Sequence, residues 1–150
     1  MQPIPNTGKA CWLPQTNIQK TKWPTRADDG VRLVAGTDAP TIAGLVPGFS
    51  LHQDLSALSA AGLTPYQVIS TATRVPGEFI QKTKPNVGPF GTVSVGSRAD
   101  LILSASNPLD DISALEKPLG VMAHGRWYSA AALRSLLDSV ARKYASGAVN

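Results

Sequence analysis

The chain has 150 residues, 43% of them hydrophobic and only 16% charged, which is enough for one domain with its own core and too apolar for a disordered segment. The chain is short for a complete eightfold α/β barrel, which typically takes about 250 residues. The net charge of +4 is dispersed rather than striped, no apolar run reaches ~20 residues, and no basic-then-apolar start is present; nucleic-acid binding, membrane insertion and secretion are set aside. The single Cys11 rules out an internal disulfide and a thiolate zinc site, and it fits a reducing, cytoplasmic setting.

In chain order, residues 1–27 read as an extended or poorly ordered leader. Pro3, Pro5, Pro14 and Pro24 interrupt it, and it carries Lys9, Lys20, Lys22 and Arg26 without acids. Val31–Ala35 is a short apolar run expected to be a strand buried on both faces. It ends in Gly36-Thr37-Asp38-Ala39-Pro40. Ser50 with Gln53 forms a capping box for a helix whose stripe is Leu51, Leu55 and Leu58, and Gly62 stops it. Thr64, Pro65 and Gln67 start a second helix, expected to run to about Arg74 and to end before Pro76.

Residues 76–90, with Pro76, Gly77, Pro85, Gly88 and Pro89, read as a loop or boundary. Gly91–Val95 alternates as a strand, Gly96-Ser97 turns, and Ala99–Leu103 is a second strand. Gly120–His124 is a third, with Gly125-Arg126 as its turn. Ser129 caps a final helix with Leu133, Leu136, Leu137, Val140 and Tyr144 on one stripe. The organisation expected is a leader at 1–27, a strand and two helices within 28–80, strands within 81–128, and a helix and tail at 129–150.

Few residues can carry chemistry. Asp38 directly follows a buried strand, where barrel enzymes keep their acids, although Gly-Thr-Asp also makes an ordinary turn. The histidines are His52 and His124, with no His-x-His, whereas a zinc site with an open position typically takes three protein ligands. His52 lies early in the first helix and His124 in a strand of a different region. Asp100 beside Arg98 reads as a turn-stabilising carboxylate. Asp110 and Asp111 lack the alternating spacing of a calcium loop and read as a solvated, capping turn. Ser50 in Gly48-Phe49-Ser50-Leu51-His52 lacks the second Gly of a nucleophile elbow and is better used as a cap.

The ordered series LVAGTDA at 33–39, PGFSLHQDL at 47–55, AGLTPYQVISTAT at 61–73, FGTVSVGSRADLILSASNPLDDI at 90–112 and GVMAHGRWY at 120–128 resembles the C-terminal part of metal-dependent amidohydrolases, particularly their imidazolonepropionase- and prolidase-like branch. The resemblance spans residues 28–128 and implies an α/β fold. Its parts would be the last strand of a (β/α)8 barrel with its following helices, a share of a small β-sandwich, and a C-terminal helix. It implies a hydrolase acting on C–N bonds of small amide or dipeptide substrates, with a divalent metal, commonly zinc, activating water. Asp38 would then be both metal ligand and proton acceptor, and His52 would contact substrate. The family's remaining ligands, a His-x-His pair, a Lys or Glu and two further histidines, have no counterparts here. The chain by itself is therefore expected to be inactive, and to self-associate or require a complementing chain. The alternative is a non-catalytic oligomerisation or binding module derived from the same fold.

Overall fold

The structure, a computed structural model, describes residues 30–41 and 44–145; the expected leader, with Cys11, lies outside the described residues. It is an α/β arrangement of packed helices followed by a three-stranded antiparallel sheet and a last helix. Among the described residues no helix is long and apolar enough to cross a membrane.

Residues 31–35 are extended but join no sheet. Leu33 and Ala35 pack on the core while Val31 and Val34 stay exposed. The expected burial on both faces is thus corrected to one. A strand covered on both sides needs a hydrogen-bonded neighbour and a second layer. Here its recorded backbone tie is Ala35 N–H donating to the Thr71 carbonyl at 3.0 Å.

Helix α1 spans Phe49–Ala60. Its N-cap is Gly48, so Ser50 is not the cap the sequence suggested. Ser50 lies inside the first turn and is buried. Its hydroxyl accepts from Val46 N–H at 2.9 Å, and its own N–H donates to the Val46 carbonyl at 2.9 Å. The hydroxyl closes the preceding loop, a use that competes with capping. At the other end Gly62, at φ 103°, follows the expectation. Gly62 N–H reaches the Ser59 carbonyl and Leu63 N–H the Leu58 carbonyl, the paired bonds of a Schellman stop, with Leu63 and Leu58 meeting in the core.

Helix α2, Pro65–Ala72, carries the full capping box. Thr64 N–H donates to Gln67 Oε1 at 2.8 Å, and Gln67 N–H donates to Thr64 Oγ1 at 3.3 Å. The expected loop after it is instead helix α3, Arg74–Thr83. Pro76 is its third residue, where an N–H has no intrahelical acceptor, so the missing donor costs nothing. Gly77 is required by packing: a Cβ there would lie 2.2 Å from the Phe90 carbonyl oxygen, and one on Gly91 would lie 2.3 Å from the Thr73 oxygen. The two glycines let the chain after α3 return across its first turn.

A short 3-10 helix, Pro85–Val87, follows. Gly91–Val95 is not a strand, and Val93 and Val95 are among the most exposed apolar residues. Alternation cannot make a strand where no partner offers a ladder. Strands β1 (Leu101–Leu103), β2 (Gly120–Ala123) and β3 (Arg126–Ser129) pair in that order. Leu101 faces Met122, and Met122 faces Trp127. His124, expected within a strand, is corrected to the turn: His124 and Gly125 have φ 49° and 78°, the pair of positive values of a tight right-twisting hairpin. Helix α4, Ala130–Ala145, starts on Ser129, whose hydroxyl accepts from Ala132 N–H at 3.3 Å.

The core is Leu55, Leu63 and Val68, with Leu51, Leu58 and Leu33 against it. Ile112 and Leu115, on a 3-10 helix between β1 and β2, reach the same core and join the sheet region to the helices.

Candidate active site

Asp38 sits in the turn that ends the extended segment, at φ 54° and exposed to solvent. Its carbonyl accepts from Thr41 N–H at 3.0 Å and also from the Thr41 hydroxyl. Ala39 N–H donates to Thr37 Oγ1 at 3.2 Å. The Asp38 carboxylate accepts no hydrogen bond among the described residues.

His52 is half-buried on the first part of α1. No hydrogen bond joins it to Asp38 among the described residues. His124 is in the β2–β3 turn, where its backbone N–H donates to Asp100 Oδ1 at 2.7 Å. That bond first, and then the adjacent Arg98, hold the Asp100 carboxyl below the usual carboxylate range. Asp100 is thus the turn-stabilising group expected, now with its long-range partner identified. Asp111 caps the 3-10 helix through Ser113, whose hydroxyl donates at 2.7 Å and N–H at 2.9 Å, and its carboxyl is likewise held low.

Three features escaped the sequence reading. The first is Asp54 on α1, only 8% exposed, with no hydrogen-bond partner among the described residues. Burial pushes its carboxyl up. The spacing from Leu51 and Leu58 put it on the core face, and that was the available signal. The second is an ion network in which Arg74 and Arg32 both reach Glu78, at 2.8 and 2.6 Å. The bond from Arg74 leads in drawing the Glu78 carboxyl down. The i,i+4 spacing announced the Arg74 pair, whereas Arg32 is brought in only by tertiary structure. Arg74 Nε is buried without an acceptor. The third is a groove of about 270 Å³ between residues 30–33 and the α2–α3 pair, lined in part by Tyr66, Gln67, Arg74 and Glu78. Neither Asp38 nor His52 lines it.

Among the described residues, no three His, Cys, Asp or Glu side chains gather to hold a metal ion. The described residues by themselves therefore do not make a complete divalent site.

The helices and sheet together define an amidohydrolase-like fold, of which this chain corresponds to a part. In particular, it is similar to a Bifidobacterium longum protein assigned as a prolidase, at 30% identity and a TM-score of 0.59, over 73% of this chain and 26% of that one. A Xaa-Pro dipeptidase, solved with methionine bound in its active site, matches at 25% identity and a TM-score of 0.56, over 73% of this chain and 25% of its own. An amidohydrolase structure at 24% identity and a TM-score of 0.56 agrees in fold, with the same coverage as the dipeptidase. The chain spans about a quarter of the length of these structures. Comparison with models of protein families finds no match, and comparison with curated protein sequences finds none. The structural neighbours named above as prolidase and dipeptidase are hydrolases.

Proposed function

We propose that this chain supplies the acid-bearing end and the closing helices of an amidohydrolase-type hydrolase acting on C–N bonds. Asp38 is the reactive carboxylate in this reading, and His52 is a substrate contact. Residues 28–80 are the remnant of the barrel in this reading, 81–128 the share of the sandwich, and 129–150 the C-terminal helix and tail. The observation that carries it is the position of Asp38: an acid at the end of an extended, core-packed segment, inside a fold similar to amidohydrolase and prolidase structures. An Asp whose backbone carbonyl is tied into a turn is short and held in place, as a proton acceptor must be. The names of the neighbours favour a small amide or dipeptide substrate.

A divalent metal belongs to the complete family site, but the donor set described here does not make one. The chain by itself hydrolyses nothing in this reading, and the missing ligands come from a complementing chain. Elemental mass spectrometry of the purified chain after exhaustive dialysis, with Asp38→Asn alongside, tests this. No retained zinc in either protein is expected. About one ion per chain that is lost in Asp38→Asn would overturn the need for outside ligands. The absence of a three-ligand cluster among the described residues also favours a second reading, a non-catalytic oligomerisation or binding module. Supplying the remainder of an amidohydrolase barrel in trans separates the two. Amidase or dipeptidase activity that disappears with Asp38→Asn supports the first.

A further inference from the structure

We infer that Thr37 is a positioning residue that, with Pro40 and Thr41, keeps the Asp38 carboxylate free of every backbone donor in its own turn. The inference rests on the reading of Asp38 as the reactive acid. An Asp in a turn ordinarily bonds local N–H groups with its own side chain, most often that of the second residue on. Here each of the next three positions is closed to it. Ala39 N–H is taken by Thr37 Oγ1 at 3.2 Å. Pro40, the second residue on, has no N–H at all. Thr41 N–H is held by the Asp38 carbonyl at 3.0 Å, and the Thr41 hydroxyl donates to that same oxygen.

The outcome is an exposed carboxylate that accepts no hydrogen bond among the described residues, on a backbone at φ 54°, a conformation that Asp tolerates better than most residues. The contrast lies within the same chain. Asp100 accepts from His124 N–H and Arg98, and Asp111 accepts twice from Ser113. Those two acids hold structure together. Asp38 is held through its backbone carbonyl while its carboxylate accepts nothing among the described residues, which is what an acid reserved for a ligand's N–H, a proton or a cation requires.

Carboxyl labelling of the whole folded chain with a water-soluble carbodiimide and glycine ethyl ester, resolved by site with mass spectrometry, tests this. Asp38 should label faster than Asp100 and Asp111. Thr37→Val frees Ala39 N–H for the carboxylate and should slow labelling at Asp38 about threefold, the scale of one net hydrogen bond. Thr37→Ser, which keeps the acceptor, should restore the rate. Equal rates at Asp38, Asp100 and Asp111 in the parent would overturn the inference, as would an unchanged rate in Thr37→Val. Should that variant unfold, seen as new labelling of buried Asp54, the comparison within the parent decides alone. None of these readouts needs activity, so a free Asp38 that proves catalytically idle would sink the functional reading and leave this inference standing.

Discussion

Asp54 sets the clearest electrostatic cost at the scale of single residues. A carboxylate buried without a hydrogen bond is disfavoured in its charged form, so the folded state binds its proton more readily than the unfolded chain does. The sign follows from linkage. Between the ordinary carboxyl value of 3.8 and the raised folded one, the native state carries more protons and stability falls as pH rises. Above that window the penalty is complete; below it the penalty is gone. Asp54→Asn should therefore raise the melting temperature at neutral pH by a few degrees, and the difference between variant and parent should shrink on acidification. Calorimetry of both proteins across the acidic range checks it, and a variant that melts lower at neutral pH would mean that Asp54 has a cationic partner. Asp100 works in the opposite sense: its contribution is present at neutral pH and is lost as pH falls through its lowered value. The position of Asp38 after a strand-like run was legible from the residues themselves. That its carboxylate accepts no hydrogen bond among the described residues was not, because that depends on where Thr37 and Thr41 direct their hydroxyls.

At the scale of elements, local chemistry won wherever the bonds it promised were local. Thr64, Pro65 and Gln67 form the box the spacing announced, and Thr64→Ala should cost about 1 kcal/mol, measured by urea denaturation. Gly62 makes the stop expected of it. Local signals failed where a competing bond or a displaced helix start intervened. Ser50 was diverted to Val46, and Pro76, a helix breaker in most settings, fell in the first turn of α3, where it is tolerated. Gly77 and Gly91 are the tertiary counterpart, since no periodicity reveals that two backbones cross there. Gly77→Ala should be among the most destabilising substitutions, because the clash is with backbone oxygen that cannot swing aside. The loss should well exceed the ~1 kcal/mol ordinarily gained by Gly→Ala in a helix. Denaturant titration of that variant beside Leu63→Ala, itself expected to cost about 2–5 kcal/mol, ranks the two effects.

At the scale of the whole molecule, the core formed by the described residues is small and many of their apolar side chains are exposed. Val31 and Val34 on the extended segment, Ile102 and Trp127 on the sheet, and Leu136, Leu137, Val140 and Tyr144 on α4 are all about half exposed or more. An extended segment without a ladder beside such surface favours association. Sedimentation of the purified chain should show concentration-dependent oligomers, and a sharp, cooperative melt from a proven monomer would count against this. The sequence by itself determined the caps at Thr64 and Ser129, the stop at Gly62, the Leu51, Leu55 and Leu58 stripe, the first two strands of the sheet and the order of motifs that marks the amidohydrolase-like fold. Each of these is written in spacings of a few residues. Only the tertiary structure decided that residues 31–35 bury one face, that 91–95 is not a strand, that 74–83 is a helix, and that Asp54 is buried while Asp38 stays free. For all but Asp38 the physical reason is common: a ladder, a second layer, a crossing backbone and the burial of a charge are supplied by residues distant in the chain, and no local pattern encodes whether they arrive; Asp38 is left free by the way the folded turn directs Thr37 and Thr41.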